Sequence, residues 1–276
     1  MSLKSVPRIP GRRPQELWEY RECDDPGLNI TSRNKWRKTF PETRGYKPPV
    51  MAESKFTHKT CLITGAGSGI GRATAVRMVS LGARVYITDI DAQGLEETRR
   101  QCGEQCISGV MDVSNAEQCN QLASGLKGDG IDFVFNCAGV NPTAYPLTET
   151  TDAYYNKLMD VNVRGTYNVT RACIPHMRPA GSFVNVSSIM GVTASAEMAI
   201  YCATKWAIVG FTKAMSLELG PKGLRCNAVA PGYIDTPTNA GVLAGPEAVR
   251  AAEADIAMGR MGTPEEVAEV VVFLFR

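Results

Sequence analysis

Tyr201 and Lys205 are the strongest candidates for acid–base chemistry in this sequence. They stand four residues apart in Tyr201-Cys-Ala-Thr-Lys205, so a helix places both side chains on one face. A phenol has a pKa of about 10, and a general base working near neutrality needs a pKa roughly three units lower. An adjacent ammonium acts in that direction, because it favours the phenolate. With Ser188 and Asn162 upstream, the pattern predicts a tyrosine that transfers a proton.

A glycine-rich turn, Thr64-Gly65-Ala-Gly67-Ser68-Gly69-Ile70-Gly71, follows an apolar run. Such glycines let a pyrophosphate approach the N-terminus of the next helix, where N–H groups and the helix dipole favour an anion. The spacing differs from the common G-x-G-x-x-G, and a plain tight turn is the alternative interpretation. The position between a strand and a helix favours a dinucleotide site.

Asp89 ends the second predicted strand, 24 residues after Gly65. An acid at that strand end accepts hydrogen bonds from the adenosine ribose and repels the 2′-phosphate of NADP. Ser68 and Ile90 are not basic, and we expect Arg72 to be solvated as an early helix residue. The sequence therefore predicts NAD over NADP, with an ordinary turn aspartate as the alternative.

Apolar strand patterns and helical repeats alternate from residue 57 onward. The predicted strands are 60–64, 84–88, 107–110, 131–136, 182–186 and 224–230. The predicted helices are 70–81, 92–102, one opened by a capping box at 114–117, 152–177, 201–219, and one capped by Thr263-Pro-Glu-Glu266. This alternation predicts an α/β fold: a doubly wound parallel sheet with helices on both faces.

Composition describes an ordinary globular protein of 276 residues, with 44% hydrophobic and 21% charged residues and a net charge of +2. This charge argues against an extended nucleic-acid face, and no segment reaches a membrane-spanning length. The nine cysteines form no paired CxxC pattern and the two histidines are isolated, so we expect reduced thiols and no metal site. We expect a cytoplasmic protein. A weak presequence-like character of the first fifteen residues leaves an organelle as the alternative.

Residues 1–55 differ in composition from residues 56–276. They hold 12 basic and 7 acidic residues, a net charge of +5, with seven prolines and few periodic apolar positions. We predict an irregular basic arm here, followed by one catalytic domain over 56–276. Its aromatic residues suit a tail packed on its own domain or, alternatively, an anchor for a partner.

Residues 57–276 resemble the short-chain dehydrogenases/reductases, which have a Rossmann fold. Motifs in the order of that family carry the resemblance: Thr64-Gly65…Gly69-Ile70-Gly71, Asp112-Val113, Asn136-Cys137-Ala138-Gly139, Asn162, Ser188, Tyr201/Lys205 and Pro231-Gly232…Thr236. Cys137 departs from the family's Asn-Asn-Ala-Gly.

The resemblance implies a role for each matched residue. Tyr201 would exchange a proton with the substrate oxygen, Ser188 would hydrogen bond that oxygen, Lys205 would bind the nicotinamide ribose and lower the tyrosine pKa, and Asn162 would hold a relay water. Asp112 and Val113 would frame the adenine, while Asn136, Ala138 and Gly139 would support the adenosine side. Pro231, Gly232, Ile234 and Thr236 would hold the carboxamide.

The predicted function is hydride transfer between NAD(H) and a secondary alcohol or ketone. The expected substrate lining is 140–142, 189–198, Tyr233 and 238–258, mostly apolar, with Glu197 and Asn239 among the few polar groups. The alternatives are a 3-oxoacyl thioester reductase and a catalytically silent NAD-binding scaffold. The resemblance also implies a homodimer or homotetramer.

The end of the sequence departs from the family pattern. After the last helix the family pattern continues through a loop into one more parallel strand. This sequence instead stops at Val270-Val-Val-Phe-Leu-Phe-Arg276, at about the helix end, so we expect a sheet without the family's last strand. This leaves 224–230 as an edge and is expected to deprive the last helix of packing around Val267, Val270, Val271 and Leu274.

Overall fold

A parallel six-stranded sheet forms the centre of the computed structural model, which describes residues 56–126, 128, 130–141, 144–237 and 245–276. The strands are β1 Thr60–Thr64, β2 Arg84–Asp89, β3 Cys106–Val110, β4 Ile131–Asn136, β5 Met177–Val186 and β6 Arg225–Val229. Their order is β3-β2-β1-β4-β5-β6, and every neighbouring pair is parallel. The predicted irregular arm, residues 1–55, lies outside the described residues.

Helices cover both faces of this sheet. They are α1 Gly69–Ser80, α2 Ala92–Cys102, α3 Ala116–Gly125, α4 Asp152–Leu158, α5 Thr166–Cys173, α6 Ala199–Leu219, α7 Pro246–Asp255 and α8 Pro264–Phe275. Side chains alternate along each strand, so Cys61 and Ile63 of β1 enter one core cluster and Leu62 enters the other. The α/β class predicted from the sequence is confirmed.

The strand order reverses at β1: β2 and β3 lie on one side of it, whereas β4, β5 and β6 lie on the other, with β4 paired directly to β1. Loops at the carboxyl ends of parallel strands diverge at such a point and leave a crevice that binds ligands. The glycine-rich turn after β1 and the segment after β4 therefore border the same crevice.

Several local predictions need correction. Asn115, and not Ser114, caps α3, because its side chain accepts from the amides of Glu117 and Gln118. The predicted helix 152–177 is α4, a π-helix at Met159–Gly165, α5 and a short 3-10 turn, and Met177 already belongs to β5. The sequence analysis did not predict α7.

The expected loss of packing around α8 applies to Val270 and not to Val267 or Val271. Val267 and Val271 are buried in the core cluster shared with α1, whereas Val270 is 49% exposed. Phe275 stacks on Phe133 of β4 with ring centres 4.8 Å apart. Arg225 of β6 donates to the carbonyl oxygen of Phe275 at 3.0 Å, which satisfies one C-terminal acceptor of the helix.

Candidate active site

The turn after β1 lies against the segment after β4. Thr64 Oγ1 accepts from the amides of Cys137 and Ala138, both at 3.2 Å. Gly65 has a φ of +66°, and a Cβ there would lie 2.6 Å from the Cα of Ala138. Only glycine fits this close approach, which brings Ala138 and Gly139 into the lining of the cleft.

The N-terminus of α1 opens into the cleft beside this turn. The N-cap residue Ser68 makes no side-chain cap bond, and the first turn carries no acid. Gly65, Ser68, Gly69 and Ile70 line the cleft here. The first N–H groups of the helix and its dipole therefore suit the pyrophosphate of a dinucleotide.

Asp89 lies at the other side of the glycine turn, at the end of β2. Its Oδ2 accepts from the amide of Gly67 at 2.9 Å, and its Oδ1 accepts from the amide of Asp91 at 3.0 Å. Gly67 thus contacts Asp89 and does not line the cleft. The carboxylate remains in the lining, where it suits the two hydroxyls of an adenosine ribose.

The expectation that Arg72 is solvated is wrong. Its guanidinium donates to the carbonyl oxygen of Gly67, to the carbonyl oxygen of Gly94 at 3.3 Å and to Thr98 Oγ1 at 2.9 Å. The side chain of Arg72 therefore joins the glycine turn to α2, a contact between residues that are distant in the sequence.

Asp112 and Val113 both line the cleft. Asp112 Oδ1 accepts from the amide and the hydroxyl of Ser114 at 2.8 and 2.7 Å. These bonds fix the carboxylate at the end of β3, while the Val113 side chain is 5% exposed against the core.

Asn136 lies beneath the cleft as a supporting residue. It is 3% exposed and does not line the cleft. Its amide donates to Thr170 at 3.0 Å and to Asn185 at 2.8 Å, and Asn185 in turn donates to Thr212 at 2.9 Å. Sequence reasoning missed this buried series of hydrogen bonds, because the four residues that form it come from four different elements.

Ser188, Tyr201 and Lys205 meet on one wall of the cleft. The hydroxyls of Tyr201 and Ser188 are hydrogen bonded, and the Lys205 ammonium donates to the carbonyl oxygen of Val186 at 3.1 Å. Ser187 points away and donates to the carbonyl oxygen of Lys205 at 2.8 Å, so Ser188 presents its hydroxyl to the cleft.

The pKa of Tyr201 differs from the expectation that the neighbouring Lys205 lowers it. Burial raises the pKa of Tyr201 above its ordinary value, and the hydrogen bond to Ser188 partly opposes this. Burial also lowers the pKa of Lys205 to about 8. In the chain alone, desolvation therefore outweighs the effect of the lysine charge on the tyrosine.

Asn162 lies in the π-helix between α4 and α5. Its Oδ1 accepts from the amide of Val140 at 2.8 Å, and its Nδ2 donates to the carbonyl oxygen of Val140 at 3.0 Å. The same Nδ2 reaches Thr204 Oγ1 at 3.2 Å, one residue before Lys205. Asn162 thus ties the segment after β4 to α6, and π-helices occur frequently at functional sites.

The segment after β6 closes the cleft opposite α6. Its Pro231, Gly232, Tyr233, Ile234 and Thr236 all line the cleft. A parallel bridge between Ile234 and Gly262 holds the segment in place. This position suits contacts with the carboxamide end of a bound dinucleotide.

The cleft has a volume of about 840 Å³, and its lining includes more polar side chains than expected from the sequence. Lys157, Asp160 and Ser195 line it together with Glu197, which has a φ of +64°. Ser195 and Glu197 belong to the predicted lining, whereas sequence reasoning missed Lys157 and Asp160, since α4 and the π-helix carry no motif that marks them. The predicted lining at 142 and 238–244 lies outside the described residues.

Metal ligation and membrane insertion have no visible basis in the described part of the chain. No three His, Cys, Asp or Glu side chains gather there as metal ligands would. None of its helices combines the length and apolar character needed to cross a bilayer.

Sequence comparisons place the chain among reductases and dehydrogenases. A family model described as enoyl-(acyl carrier protein) reductase matches residues 65–276. The 3-oxoacyl-[acyl-carrier-protein] reductase of Thermotoga maritima is 36% identical over 226 residues, covering 78% of this chain and 89% of that protein. Levodione reductase of Leifsonia aquatica is 35% identical over 236 residues, covering 80% of this chain and 88% of that protein.

Solved structures share the fold. A short-chain dehydrogenase/reductase of the glucose/ribitol dehydrogenase type from Brucella melitensis superposes with a TM-score of 0.76 at 32% identity, covering 80% of this chain and 90% of its own. A 3-ketoacyl-(acyl-carrier-protein) reductase from the same organism, complexed with NADH, superposes with a TM-score of 0.75 at 29% identity. The match covers 80% of this chain and 92% of that chain. The matched family model, the shared sequence and the shared fold show that this chain belongs to the short-chain dehydrogenase/reductase family of oxidoreductases.

Proposed function

We propose that this protein transfers a hydride between NAD(H) and a secondary alcohol or ketone. The observation that carries the proposal is that one cleft joins the glycine turn and Asp89 at one end to Ser188, Tyr201 and Lys205 at the other. A dinucleotide held at the first group would extend toward the second. The nicotinamide cofactor supplies the hydride chemistry, and the chain positions it.

Tyr201 serves as the general acid and base in this proposal. Its hydroxyl lies close to that of Ser188, so a substrate oxygen seated between the two would receive a proton from Tyr201 and a hydrogen bond from Ser188. Because burial alone raises the tyrosine pKa, ionisation near neutrality needs added positive charge. Lys205 and the oxidised nicotinamide ring would supply that charge. The side chain of Asn162, which is bonded to Val140 and Thr204 and does not line the cleft, would hold the segment after β4 against α6.

We propose NAD in preference to NADP. Asp89 stands where the ribose would lie, and its charge opposes a 2′-phosphate. Arg72, the nearest cation on α1, is engaged with the glycine turn and with α2. The relative from Brucella melitensis that is complexed with NADH supports a nicotinamide cofactor in general.

A 3-oxoacyl thioester reductase is the second candidate. The Thermotoga maritima relative is named for that reaction, and a 3-oxoacyl group is a ketone that the same Tyr201 would protonate. A catalytically silent NAD-binding scaffold is the rival from another class. The intact set of Ser188, Tyr201 and Lys205 argues against it.

We also propose a compartment and an oligomeric state for the enzyme. All eight cysteines of the described residues are free thiols, which suits a reducing cytoplasm. Tyr155, Tyr167 and Trp206 are 43–51% exposed on α4, α5 and α6, and such aromatics favour a homodimer or homotetramer packed through these helices.

Absorbance of NADH tests the proposal directly. Secondary alcohols with NAD, and ketones with NADH, are compared with 3-oxoacyl thioesters under the same conditions. Turnover of free ketones supports the first function, whereas turnover of the thioesters alone favours the second. Binding of NADH with no turnover of any substrate would favour the silent scaffold.

A further inference from the structure

Arg72 makes a set of contacts that neither the motifs nor the proposed chemistry uses. Its Nε donates to Thr98 Oγ1 at 2.9 Å, and one terminal nitrogen donates to the carbonyl oxygens of Gly67 and Gly94. The acceptors belong to the glycine turn and to α2, so a single guanidinium joins this turn to a helix.

Thr98 completes this arrangement from α2. It is fully buried, and its hydroxyl lies 2.8 Å from the carbonyl oxygen of Ala66 and 3.0 Å from that of Gly94. A buried hydroxyl held by two carbonyl oxygens has little freedom to move. Thr98 therefore presents a fixed acceptor to Arg72.

The peptide groups on both sides of Gly67 are held. Its carbonyl oxygen accepts from Arg72, while its amide donates to Asp89 Oδ2 at 2.9 Å. Gly67 has no side chain of its own to anchor it, and a Cβ there would lie 2.9 Å from that carboxylate oxygen. The orientation of Asp89 thus depends on the turn that Arg72 holds.

We propose that Arg72, with Thr98, is a positioning residue that holds the glycine turn against Asp89 for the adenosine half of the dinucleotide. The inference rests on the proposed function. Arg72 acts here through Gly67 and not as a cation for the 2′-phosphate of NADP. Its loss then weakens every ligand that contains the adenosine diphosphate group, whether or not that ligand carries the extra phosphate.

Two fragments of the cofactor separate this role from a general structural one. ADP-ribose contacts the glycine turn and Asp89, whereas nicotinamide mononucleotide contacts only the far end of the cleft. Calorimetry measures the first and saturation-transfer NMR the second, both on the full chain. General destabilisation would weaken both fragments, but misplacement of the turn weakens ADP-ribose alone.

The variants are Arg72→Met, Arg72→Lys and Thr98→Val, with Arg77→Met as the matched control. Arg77 lies on the same helix, and its guanidinium pairs with Glu269 of α8 at 2.6 Å, away from the crevice. We expect Arg72→Met to weaken ADP-ribose by about tenfold, the equivalent of one charge-assisted hydrogen bond. Thr98→Val, which nearly preserves shape, and Arg72→Lys are each expected to cause a smaller loss.

The results decide between the alternatives. ADP-ribose affinity within about twofold of the parent in both Arg72→Met and Thr98→Val would overturn the inference, as would equal losses in Arg72→Met and Arg77→Met. A loss confined to NADPH, with NADH and ADP-ribose unchanged, would also overturn it, because Arg72 would then bind the 2′-phosphate. If the parent itself binds no ADP-ribose, the proposed function fails along with this inference. Should Arg72→Met not fold, Thr98→Val alone carries the test.

Discussion

The ammonium nitrogen of Lys205 lies 5.6 Å from the centre of the Tyr201 ring, one turn further along α6. Both side chains are buried, at 6% and 8% exposure. Burial acts on the two groups in opposite directions, since it favours the neutral form of each: the pKa of Tyr201 rises and that of Lys205 falls to about 8. The pair is thus sensitive to any charge placed beside it, and the oxidised nicotinamide ring of the proposed cofactor would be such a charge.

Replacing Tyr201 with phenylalanine tests its proposed role. The change removes the hydroxyl and keeps the ring, so NADH binding is expected to persist while turnover falls by about 10²–10⁴. Tyr167→Phe is the control, because Tyr167 is partly exposed on α5 and accepts a hydrogen bond from Arg171 outside the cleft. Steady-state rates with fluorescence titration of NADH measure both effects. Activity of Tyr201→Phe within about tenfold of the parent would contradict the assignment.

The lowered pKa of Lys205 predicts how stability varies with pH. The unfolded chain binds more protons than the folded chain between about pH 8, the folded pKa, and 10.5, the ordinary value of lysine. The contribution of Lys205 to the free energy of unfolding therefore rises with pH through this window and is lost as pH falls through 8.

Urea unfolding of the parent and of Lys205→Met isolates this effect, because other titrating groups largely cancel in the difference. We expect the difference in unfolding free energy, parent minus variant, to rise by up to about 1.4 kcal/mol per pH unit within the window. A difference that stays flat from pH 8 to 10.5 would show that the buried lysine keeps its ordinary pKa.

Asp89→Ala tests cofactor choice. Loss of the carboxylate removes the acceptor for the ribose and for the Gly67 amide, and it relieves repulsion of the 2′-phosphate. The preference for NAD over NADP is expected to narrow by about tenfold in kcat/KM. Asp89→Asn keeps an acceptor for Gly67 without the charge and should lose less NAD affinity. A parent protein that already prefers NADPH to NADH would refute the proposal that Asp89, at the end of β2, selects NAD.

Two glycine-to-alanine changes are expected to have opposite effects on stability. A Cβ at Gly94 of α2 would lie 2.6 Å from both the carbonyl oxygen of Gly67 and a carboxylate oxygen of Asp91. Gly94→Ala should therefore destabilise the fold by about 1–3 kcal/mol and weaken ADP-ribose. Gly210 on α6 is exposed with no atom within 4 Å of such a Cβ, so Gly210→Ala should stabilise by about 0.5–1 kcal/mol. Thermal and urea unfolding measure both, and a stabilising Gly94→Ala would contradict the close approach of α2 to the turn.

The sequence by itself determined which elements form and which motifs they carry. Alternating patterns and caps are local, so β1, β4 and α2 have their predicted bounds, and Thr263 caps α8 with Glu266 as expected. The positions of Gly65, Asp89, Ser188 and Tyr201 at strand and helix ends follow from the same local signals. The comparisons confirm the family that these motifs indicate.

The tertiary structure alone decided which distant residues meet. Thr98 and Arg72 are separated by 26 residues, and Asn136 bonds to Asn185 across 49. No periodicity marks such partners, because a hydrogen bond between two elements depends on how those elements pack and not on local spacing. The raised pKa of Tyr201 also depends on the tertiary structure, since desolvation is set by everything that surrounds a side chain.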